Sequence, residues 1–251
     1  MSATLTVLGC DGSHAGAGGA GSGYLVRDWS TGTTVWLDAG PGTFAALQQY
    51  CDPRRLDAVV LTHRHRDHCS DLDGFVAAAR FTFGWQRDPL PVLAPAGVRE
   101  QLACGEDDPD GEATAVVAWH EVGDGQQLRL GPLGLRFSRT DHGPVTVATR
   151  LEGEGWALGY SADSGPGWSL RSLGPDLDLA LCEATVTADH EGIPGHMSAR
   201  QAGATAREAR VRRLVVTHRW PTVAADAVRH EAHVAFGGPV TTAVAGHGYT
   251  L

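Results

Sequence analysis

The chain has 251 residues, 42 % of them hydrophobic, which is enough to bury a sizeable core and argues against a disordered protein. Its 20 basic and 29 acidic residues give a net charge of −9, so it is poorly suited to bind long nucleic acid, whose phosphates attract positive charge. No apolar stretch approaches the roughly 20 residues that cross a bilayer, so we expect no membrane span.

The predicted elements of the first half alternate between strands and helices. Runs rich in apolar and β-branched residues predict strands, and apolar residues at helical spacing predict helices. Pro41 would lie near the first turn of the first helix, and Ser70 or Asp71 would cap the second helix. We expect strands at 4–10, 23–27, 34–40, 56–62 and 90–95, and helices at 41–50, 70–83 and 97–103.

The second half continues the alternation after a polar loop at 104–113. We expect several strands between 114 and 160, then a strand at 178–184, a helix at 198–211, a strand at 213–218 and a helix at 222–236. Strands and helices in both halves, around a strand-rich middle, are typical of an α/β protein whose sheets carry helices on their outer faces. No linker-like tract interrupts the chain, so we predict a single domain over residues 1–251.

A glycine-rich segment, residues 12–23, lies between the first two predicted strands. It contains no lysine, which a GxxxxGK[ST] phosphate loop requires, and no well-placed GxGxxG opens a helix. We interpret it as a loop at the edge of a pocket and assign it no role.

The sequence HRHRDH at 63–68 places three histidines and an aspartate directly after an apolar strand. In a chain of this composition, the pattern H-x-H-x-D-H arises by chance in roughly two of every thousand sequences. Neutral imidazole and carboxylate are typical zinc ligands, and the loop beyond a strand's carboxyl end is a favoured ligand site in α/β folds. We therefore predict that His63, His65, Asp67 and His68 contribute to a metal site.

A closed metal site needs further ligands from elsewhere in the chain. His142, Asp163 and His218 each come shortly after a predicted strand. Each alone is more often a turn or cap residue, but together they complete an ordered set with the histidine-rich segment.

In this order the motifs resemble the metallo-β-lactamase fold superfamily of binuclear metallohydrolases, with LDAG at 37–40 as an early motif. The resemblance implies a four-layer αββα sandwich with a pair of metal ions at one edge. Asp38 is implied to be buried and to order the histidine-rich segment through hydrogen bonds. The implied ligands are His63, His65 and His142 for one ion, Asp67, His68 and His218 for the other, and Asp163 as the bridge.

A further stretch, from Glu191 to His218, resembles the RNase Z branch, in which a histidine in a GHST-like turn assists phosphodiester cleavage. His196 matches that histidine; the alternative is a residue near a helix cap beside Ser198. The EAT at 183–185 also resembles that branch. Only 163 − 142 = 21 positions separate His142 from Asp163, which leaves no room for the tRNA-binding arm. The last motif, HxSxRY-like in that branch, here reads HRWPT, so the arginine directly follows the histidine and the downstream arginine is absent. The chain therefore resembles arm-less relatives in this branch, some of which hydrolyse cyclic nucleotides.

The implied activity is hydrolysis of a small or cyclic nucleotide by a hydroxide that bridges two divalent ions, either Zn²⁺ or, alternatively, Mn²⁺ or Fe. Asp67 would orient the hydroxide and His196 would protonate the leaving oxygen. Arg219 and Arg200 are candidate substrate contacts, although a solvated surface role is at least as consistent. Trp85, Trp168 and Trp220 could stack on a base, but tryptophans more often belong to the core.

Three alternatives remain open from the sequence. The first is another hydrolase of this fold that acts on a thioester, lactone or β-lactam, and the second is an iron persulfide dioxygenase. The third is a catalytically silent, metal-stabilised binding module. The expected partner is a small phosphodiester, with a homodimer as the default assembly. Five scattered cysteines and the lack of a secretory signal favour reduced thiols in the cytoplasm.

Overall fold

A computed structural model describes residues 2–102 and 113–251 of the protein. Two seven-stranded mixed sheets pack face to face, and helices cover the outer face of each sheet. This arrangement confirms the predicted α/β four-layer αββα sandwich of the metallo-β-lactamase type. Within the described residues, none of the helices combines the length and the apolar character that a membrane span requires.

The first sheet has the strand order β14-β1-β2-β3-β4-β5-β6. Neighbours from β3 to β6 are parallel, and the remaining pairs are antiparallel. Its strands are β1 (Ala3–Gly9), β2 (Gly23–Asp28), β3 (Thr34–Leu37), β4 (Ala58–Val60), β5 (Leu90–Ala94), β6 (Val117–Glu121) and β14 (Gly248–Thr250).

The second sheet has the order β13-β12-β11-β10-β9-β8-β7. Neighbours from β10 to β13 are parallel, and those from β7 to β10 are antiparallel. Its strands are β7 (Gln127–Leu130), β8 (Leu133–Arg139), β9 (Val147–Gly153), β10 (Trp156–Tyr160), β11 (Leu179–Glu183), β12 (Leu214–Thr217) and β13 (Val240–Thr242).

The helices lie in the connections between strands. The α-helices are Thr43–Leu47, Arg66–Cys69, Asp71–Ala78, Ala199–Glu208 and Ala225–Phe236, and a π-helical turn, Ala79–Phe83, extends the third. Short 3₁₀ turns occur at Pro53–Arg55, Arg99–Gln101, Leu170–Leu173 and Ala188–His190.

Three buried clusters hold the four layers together. Alternate residues of a strand point to opposite faces of its sheet, so each strand serves two cores. Val35 and Leu37 of β3 face the core between the two sheets, whereas Trp36 packs under the outer helices of the first sheet with Phe75. A third cluster, which includes Leu214, lies between the second sheet and its helices. Because apolar burial drives folding, this alternation determines which face of each sheet packs against the other sheet and which packs against helices.

Several local predictions need correction. The first helix begins at Thr43, because Gly42 precedes it in a left-handed conformation (φ 89°), so Pro41 lies outside the helix. Ser70 is not a cap: it is itself helical (φ −64°, ψ −27°) and makes no capping bond. It joins the helix Asp71–Ala78 to Arg66–Cys69, so the histidine-rich segment is partly helical.

Further differences concern short elements. The helix predicted at 97–103 is only the 3₁₀ turn Arg99–Gln101 within its described part. The polar loop predicted at 104–113 lies outside the described residues apart from position 113. The edge strands β13 and β14 were not predicted. The single domain over residues 1–251 stays a prediction.

The fold brings four strand ends to one edge of the sandwich. Strands β8, β10 and β12 run in the same direction in the second sheet, so their carboxyl ends share an edge. The carboxyl end of β4 meets them across the two sheets, where the amide of Val147 donates to the carbonyl of Thr62 at 3.0 Å. The loops that follow these four strands carry the predicted ligands.

Candidate metal centre

A first cluster of nitrogen atoms converges from two loops. The Nδ1 atom of His65 lies 3.0 Å from Nε2 of His63 and 3.2 Å from Nε2 of His142. Asp163 Oδ2 is 3.5 Å from His63 Nε2 and 3.8 Å from His142 Nε2. We refer to His63, His65 and His142 as the first cluster.

A second cluster lies on the other side of Asp163. Asp67 Oδ2 is 3.4 Å from Nε2 of His218 and 3.6 Å from Nε2 of His68. Asp163 Oδ1 is 3.2 Å from the same two nitrogen atoms. Asp67, His68 and His218 form the second cluster, and the two oxygens of Asp163 face one cluster each.

These spacings fit metal ligation. Ligands held at roughly 2.0–2.1 Å from one tetrahedral zinc ion lie about 3.3–3.4 Å from one another, close to the distances within each cluster. His68 Nε2 and Asp163 Oδ1 are buried and, among the described residues, neither has a hydrogen-bond partner, although they lie 3.2 Å apart. Orphaned buried polar atoms are costly unless something else satisfies them. A divalent cation between them would do so.

The protonation states also suit cation binding. Burial and neighbouring imidazoles lower the pKa of His63 well below its ordinary value, so its ring stays neutral with a free lone pair. Burial opposes ionisation of Asp67, but His218 and His68 outweigh it and lower the pKa of that carboxyl group. For His68, Asp163 and Asp38 outweigh burial and raise the pKa. An ion at the second cluster would therefore displace a proton from His68.

Buried acceptors orient the histidines of the second cluster. His68 Nδ1 donates to Asp38 Oδ2 at 2.7 Å. Asp38 has a left-handed φ of 55°, is fully buried, and also accepts from Thr62 N and Oγ1 (2.8 and 2.9 Å) and from Tyr160 OH (2.8 Å). The structure thus shows the ordering hydrogen bonds that were expected of Asp38.

His218 is oriented through an intervening hydroxyl group. Its Nδ1 donates to Thr185 Oγ1 at 3.0 Å, and that hydroxyl donates to Glu183 Oε2 at 2.7 Å. Both arrangements fix the tautomer that leaves the Nε2 lone pair for an ion.

Behind the histidines of the first cluster, the contacts of the described residues include no direct bond to a carboxylate. His142 Nδ1 donates to the Gly195 carbonyl at 2.9 Å, and His63 Nδ1 lies 3.1 Å from Thr62 Oγ1. His65 presents Nδ1 to its neighbours and is itself exposed to solvent. The Thr62 hydroxyl donates to Asp38 Oδ2 at 2.9 Å, so His63 reaches a buried carboxylate, but only through that hydroxyl.

His196 lies beside both clusters without belonging to either one. Its ring is stacked on His218, with centroids 5.6 Å apart, and meets His142 edge-on at 5.1 Å. Its Nδ1 lies 3.2 Å from Glu183 Oε1, a fully buried carboxylate that also accepts from Ser164 N at 2.5 Å. Burial opposes the charged ring, but Glu183 outweighs it and raises the pKa of His196 to about 9.

His196 has no capping role. Ser198 itself caps the helix Ala199–Glu208 in a capping box with Gln201, so the helix does not need His196. Its position is set by Glu183, on β11, and by the turn that also supplies the Gly195 carbonyl. Three ligand-type groups, on Asp163, His196 and His218, lie within 4.8 Å of one another.

The two predicted substrate arginines are engaged within the protein. Arg200 pairs with Glu191, with a shortest contact of 2.6 Å, and its side chain is 55 % exposed. Arg219 donates to the backbone carbonyls of Trp220, Pro221 and Val223. Their assignment to substrate binding stays a prediction.

The three tryptophans differ in their surroundings. Trp85 packs edge-on against Phe75 in the outer core of the first sheet. Trp168 is buried and donates to Ser138 Oγ at 3.1 Å. Trp220 is half-buried, follows the predicted ligand His218 by two positions, and donates to the hydroxyl of Ser13, whose amide donates to Asp67.

Sequence reasoning missed three hydroxyl side chains that support the centre, those of Thr62, Tyr160 and Thr185. Thr62 immediately precedes the histidine-rich segment, and Thr185 ends the EAT motif, so both had a positional signal. Tyr160 stands 122 positions from Asp38 and had none.

Known proteins resemble this chain in sequence and in fold. The family described as Beta-lactamase superfamily domain matches residues 33–219. The chain belongs to this superfamily. Probable metallo-hydrolase YhfI of Bacillus subtilis is 31 % identical over 96 % of this chain and 97 % of its own length. Ribonuclease Z of Mycobacterium marinum is 30 % identical over 94 % of each chain.

Solved structures agree with the sequence relatives. The crystal structure of YhfI has a TM-score of 0.87 to this chain at 28 % identity, covering 98 % of both chains. Human tRNase Z, short form, has a TM-score of 0.74 at 19 % identity over 98 % of both, a likeness that shows the fold. The relatives confirm the resemblance to the superfamily and to RNase Z, and with the His and Asp clusters they identify a metal-dependent hydrolase.

Proposed function

We propose that the protein is a binuclear metal-dependent phosphodiesterase that hydrolyses a small or cyclic nucleotide. The observation that carries this proposal is the His196–Glu183 pair, which places a supported proton donor beside two adjoining ligand clusters. A thioester expels a thiolate, which is weakly basic and needs little protonation, whereas the ribose oxygen of a phosphodiester is a strongly basic leaving group, so a dedicated donor suits a phosphodiester better than a thioester.

The two clusters would each hold one divalent ion, with Asp163 between them, and Zn²⁺ suits the imidazole-rich donors, with Mn²⁺ or Fe as alternatives. When bound, the ions would lower the pKa of a water molecule towards neutrality and offset the charge that builds at phosphorus. Asp67, 11 % exposed at the rim of the second cluster, would orient that water.

His196 would supply the proton that the leaving oxygen needs. Its Nδ1–H donates to Glu183, so the opposite ring nitrogen, Nε2, carries the transferable proton when the ring is charged. Glu183 stabilises that charged ring and holds its plane. The carboxylate also reaches His218 through Thr185, which couples the donor to the second cluster.

The architecture around the centre favours a small substrate. The hairpin of β9 and β10 fills the interval between His142 and Asp163, where RNase Z relatives would insert an arm. The net charge of −9 opposes binding of a long polyanion. The relative named Ribonuclease Z supports phosphodiesters as the substrate class.

The proposed surroundings follow the same reasoning. Among the described residues, Cys10, Cys51, Cys69 and Cys182 are free thiols, which suits a cytoplasmic location. A homodimer is the proposed default assembly.

A substrate panel after metal quantification tests the proposal. We expect two divalent ions per chain and hydrolysis of bis-p-nitrophenyl phosphate and cyclic AMP, but not of nitrocefin or S-lactoylglutathione. Turnover of the last two without phosphodiesterase activity would support another hydrolase of the fold. One iron per chain would support the dioxygenase alternative.

The variant His196→Ala tests the proton donor directly. A p-nitrophenolate group leaves without protonation, whereas a ribose oxygen does not. We therefore expect a loss of about 100-fold in kcat with a cyclic nucleotide, much less with bis-p-nitrophenyl phosphate, and an unchanged metal content. His190→Ala, an exposed histidine in the same connection, is the matched control and should retain full activity with both. Equal losses with both substrates would contradict the donor role.

A further inference from the structure

The glycine-rich segment 12–23 touches the second cluster directly. The amide of Ser13 donates to Asp67 Oδ2 at 2.8 Å. This is the same oxygen that faces the Nε2 atoms of His218 and His68. A carboxylate oxygen has two lone pairs, so the amide occupies one and leaves the other directed at the cluster.

A second hydrogen bond holds Ser13 in place. The indole Nε1–H of Trp220 donates to Ser13 Oγ at 3.0 Å. Trp220 is itself anchored, because its amide donates to the Thr185 carbonyl at 3.2 Å and its own carbonyl accepts from the Arg219 guanidinium. Glycine-rich backbone has many accessible conformations, and the hydrogen bond from the Trp220 indole restrains this segment at Ser13.

The backbone at Ser13 needs such an attachment. Ser13 has a φ of 64°, in the left-handed region that costs a non-glycine residue roughly 1–2 kcal/mol. On its amino-terminal side, Gly12 donates to the Arg219 carbonyl at 3.0 Å. A Cβ at Gly12 would lie 2.3 Å from the His218 carbonyl oxygen, so only glycine permits this approach.

We propose that Ser13 and Trp220 form a latch that aims the carboxylate of Asp67 at the ion of the second cluster. Both are positioning residues, because they act through Asp67 and touch neither ion nor substrate. The latch rests on the proposed function only in requiring that the second cluster hold an ion. It gives the glycine-rich segment the role that its sequence did not reveal.

Calorimetric titration of the metal-free protein with zinc tests the latch without any assay of activity. Trp220→Phe keeps the ring and removes the indole donor, and Ser13→Gly keeps the left-handed backbone and the amide while removing the acceptor. Each should weaken one of the two binding steps about tenfold, the lower end of the loss seen when an outer hydrogen-bond partner is removed. The unaffected step should match the single step retained by Asp67→Ala.

The double variant supplies the signature of a shared bond. Because both substitutions break the same hydrogen bond, Ser13→Gly with Trp220→Phe should weaken zinc binding no more than either one alone. Trp29→Phe is the matched control. Trp29 donates through Nε1 to Thr4 Oγ1 at 3.2 Å at the opposite end of the first sheet, so its loss should leave both steps unchanged.

The possible results separate the two proposals. Two tight steps in the wild type with unchanged steps in Trp220→Phe would overturn the latch and leave the proposed function intact. Additive losses in the double variant, or equal weakening of both steps, would also overturn it. Either result would indicate that the substitutions destabilise the site in general and do not break one shared hydrogen bond. A wild type that binds no divalent ion would overturn the latch and the binuclear function together.

Discussion

The two ligand clusters differ most in what lies behind their histidines. In the second cluster, His68 donates to the buried carboxylate of Asp38, and His218 reaches the buried carboxylate of Glu183 through Thr185. In the first cluster, His63 reaches Asp38 only through the Thr62 hydroxyl, His142 donates to a neutral carbonyl, and His65 is exposed. Among the described residues, only the second cluster therefore has a histidine ligand bonded directly to a buried carboxylate behind it. Imidazole ligands in two adjacent clusters therefore differ in the charge of the groups that accept their outer N–H bonds.

This difference has a physical consequence for the ions. A carboxylate behind an imidazole raises the basicity of the opposite nitrogen and fixes the ring, and both effects strengthen ligation. A carbonyl fixes the ring but contributes less charge. The second cluster should hold its ion more tightly, and the first should exchange its ion more readily with solvent.

Removal of Asp38 should have the largest effect. In Asp38→Ala, donors on Thr62, His68 and Tyr160 lose their buried acceptor, and such a loss costs about 3–5 kcal/mol. Chemical unfolding of the metal-free protein should show that decrease in the free energy of unfolding. Zinc titration should show the loss of one binding step.

An exposed carboxylate provides the control for Asp38. Asp52 pairs with Arg54 at 2.7 Å and its side chain is 35 % exposed. Asp52→Ala should lower the free energy of unfolding by no more than about 2 kcal/mol, because its surface ion pair contributes little and its other role is a capping bond from the Arg54 amide at the short turn Pro53–Arg55. Equal losses in the two variants would show that the buried hydrogen bonds of Asp38 have no special role.

Release of the two ions should be the next largest effect. When a chromophoric chelator captures the ions of the wild type, we expect two phases of release whose rates differ about 10–100-fold. This is the range by which hydrogen-bond partners behind metal ligands change metal affinity. The variant His65→Ala, which weakens the first cluster, should release one ion at the slow rate. A single ion released at the fast rate would reverse the assigned order of the clusters.

The sequence predicted the ligands better than their surroundings, for physical reasons. His63, His65, Asp67 and His68 stand in one local pattern, and strand ends converge at one edge of a sandwich, so their approach could be expected. Tyr160 contacts Asp38 across 122 positions, and only the packing of the two sheets decides that contact.

Local signals failed where tertiary structure overrode them. Ser70 has the chemistry of a helix cap, but the chain is already helical from Arg66, so no free helix end exists there. The strands Val240–Thr242 and Gly248–Thr250 are three residues long, too short for a period-two pattern to be read. The role of residues 12–23 depends on a contact between Ser13 and Trp220 that no local pattern encodes.

The smallest effect in this comparison is expected from Tyr160, whose hydroxyl is one of several donors to Asp38. Tyr160→Phe should cost about 1.5 kcal/mol, the lower end for a hydrogen bond to a charged group, because Thr62 and His68 still satisfy the carboxylate. Both zinc-binding steps should be kept, since His68 retains its partner.

Tyr24 sharpens this last test. Its ring packs edge-on against Tyr160 at 5.2 Å, but its hydroxyl meets the neutral hydroxyl of Thr217 at 2.6 Å. Tyr24→Phe removes the same atom from an equally buried ring and should therefore cost less than Tyr160→Phe in chemical unfolding. If the two variants lose the same stability, the charge on Asp38 does not strengthen its hydrogen bonds, and the electrostatic difference between the two clusters loses its basis.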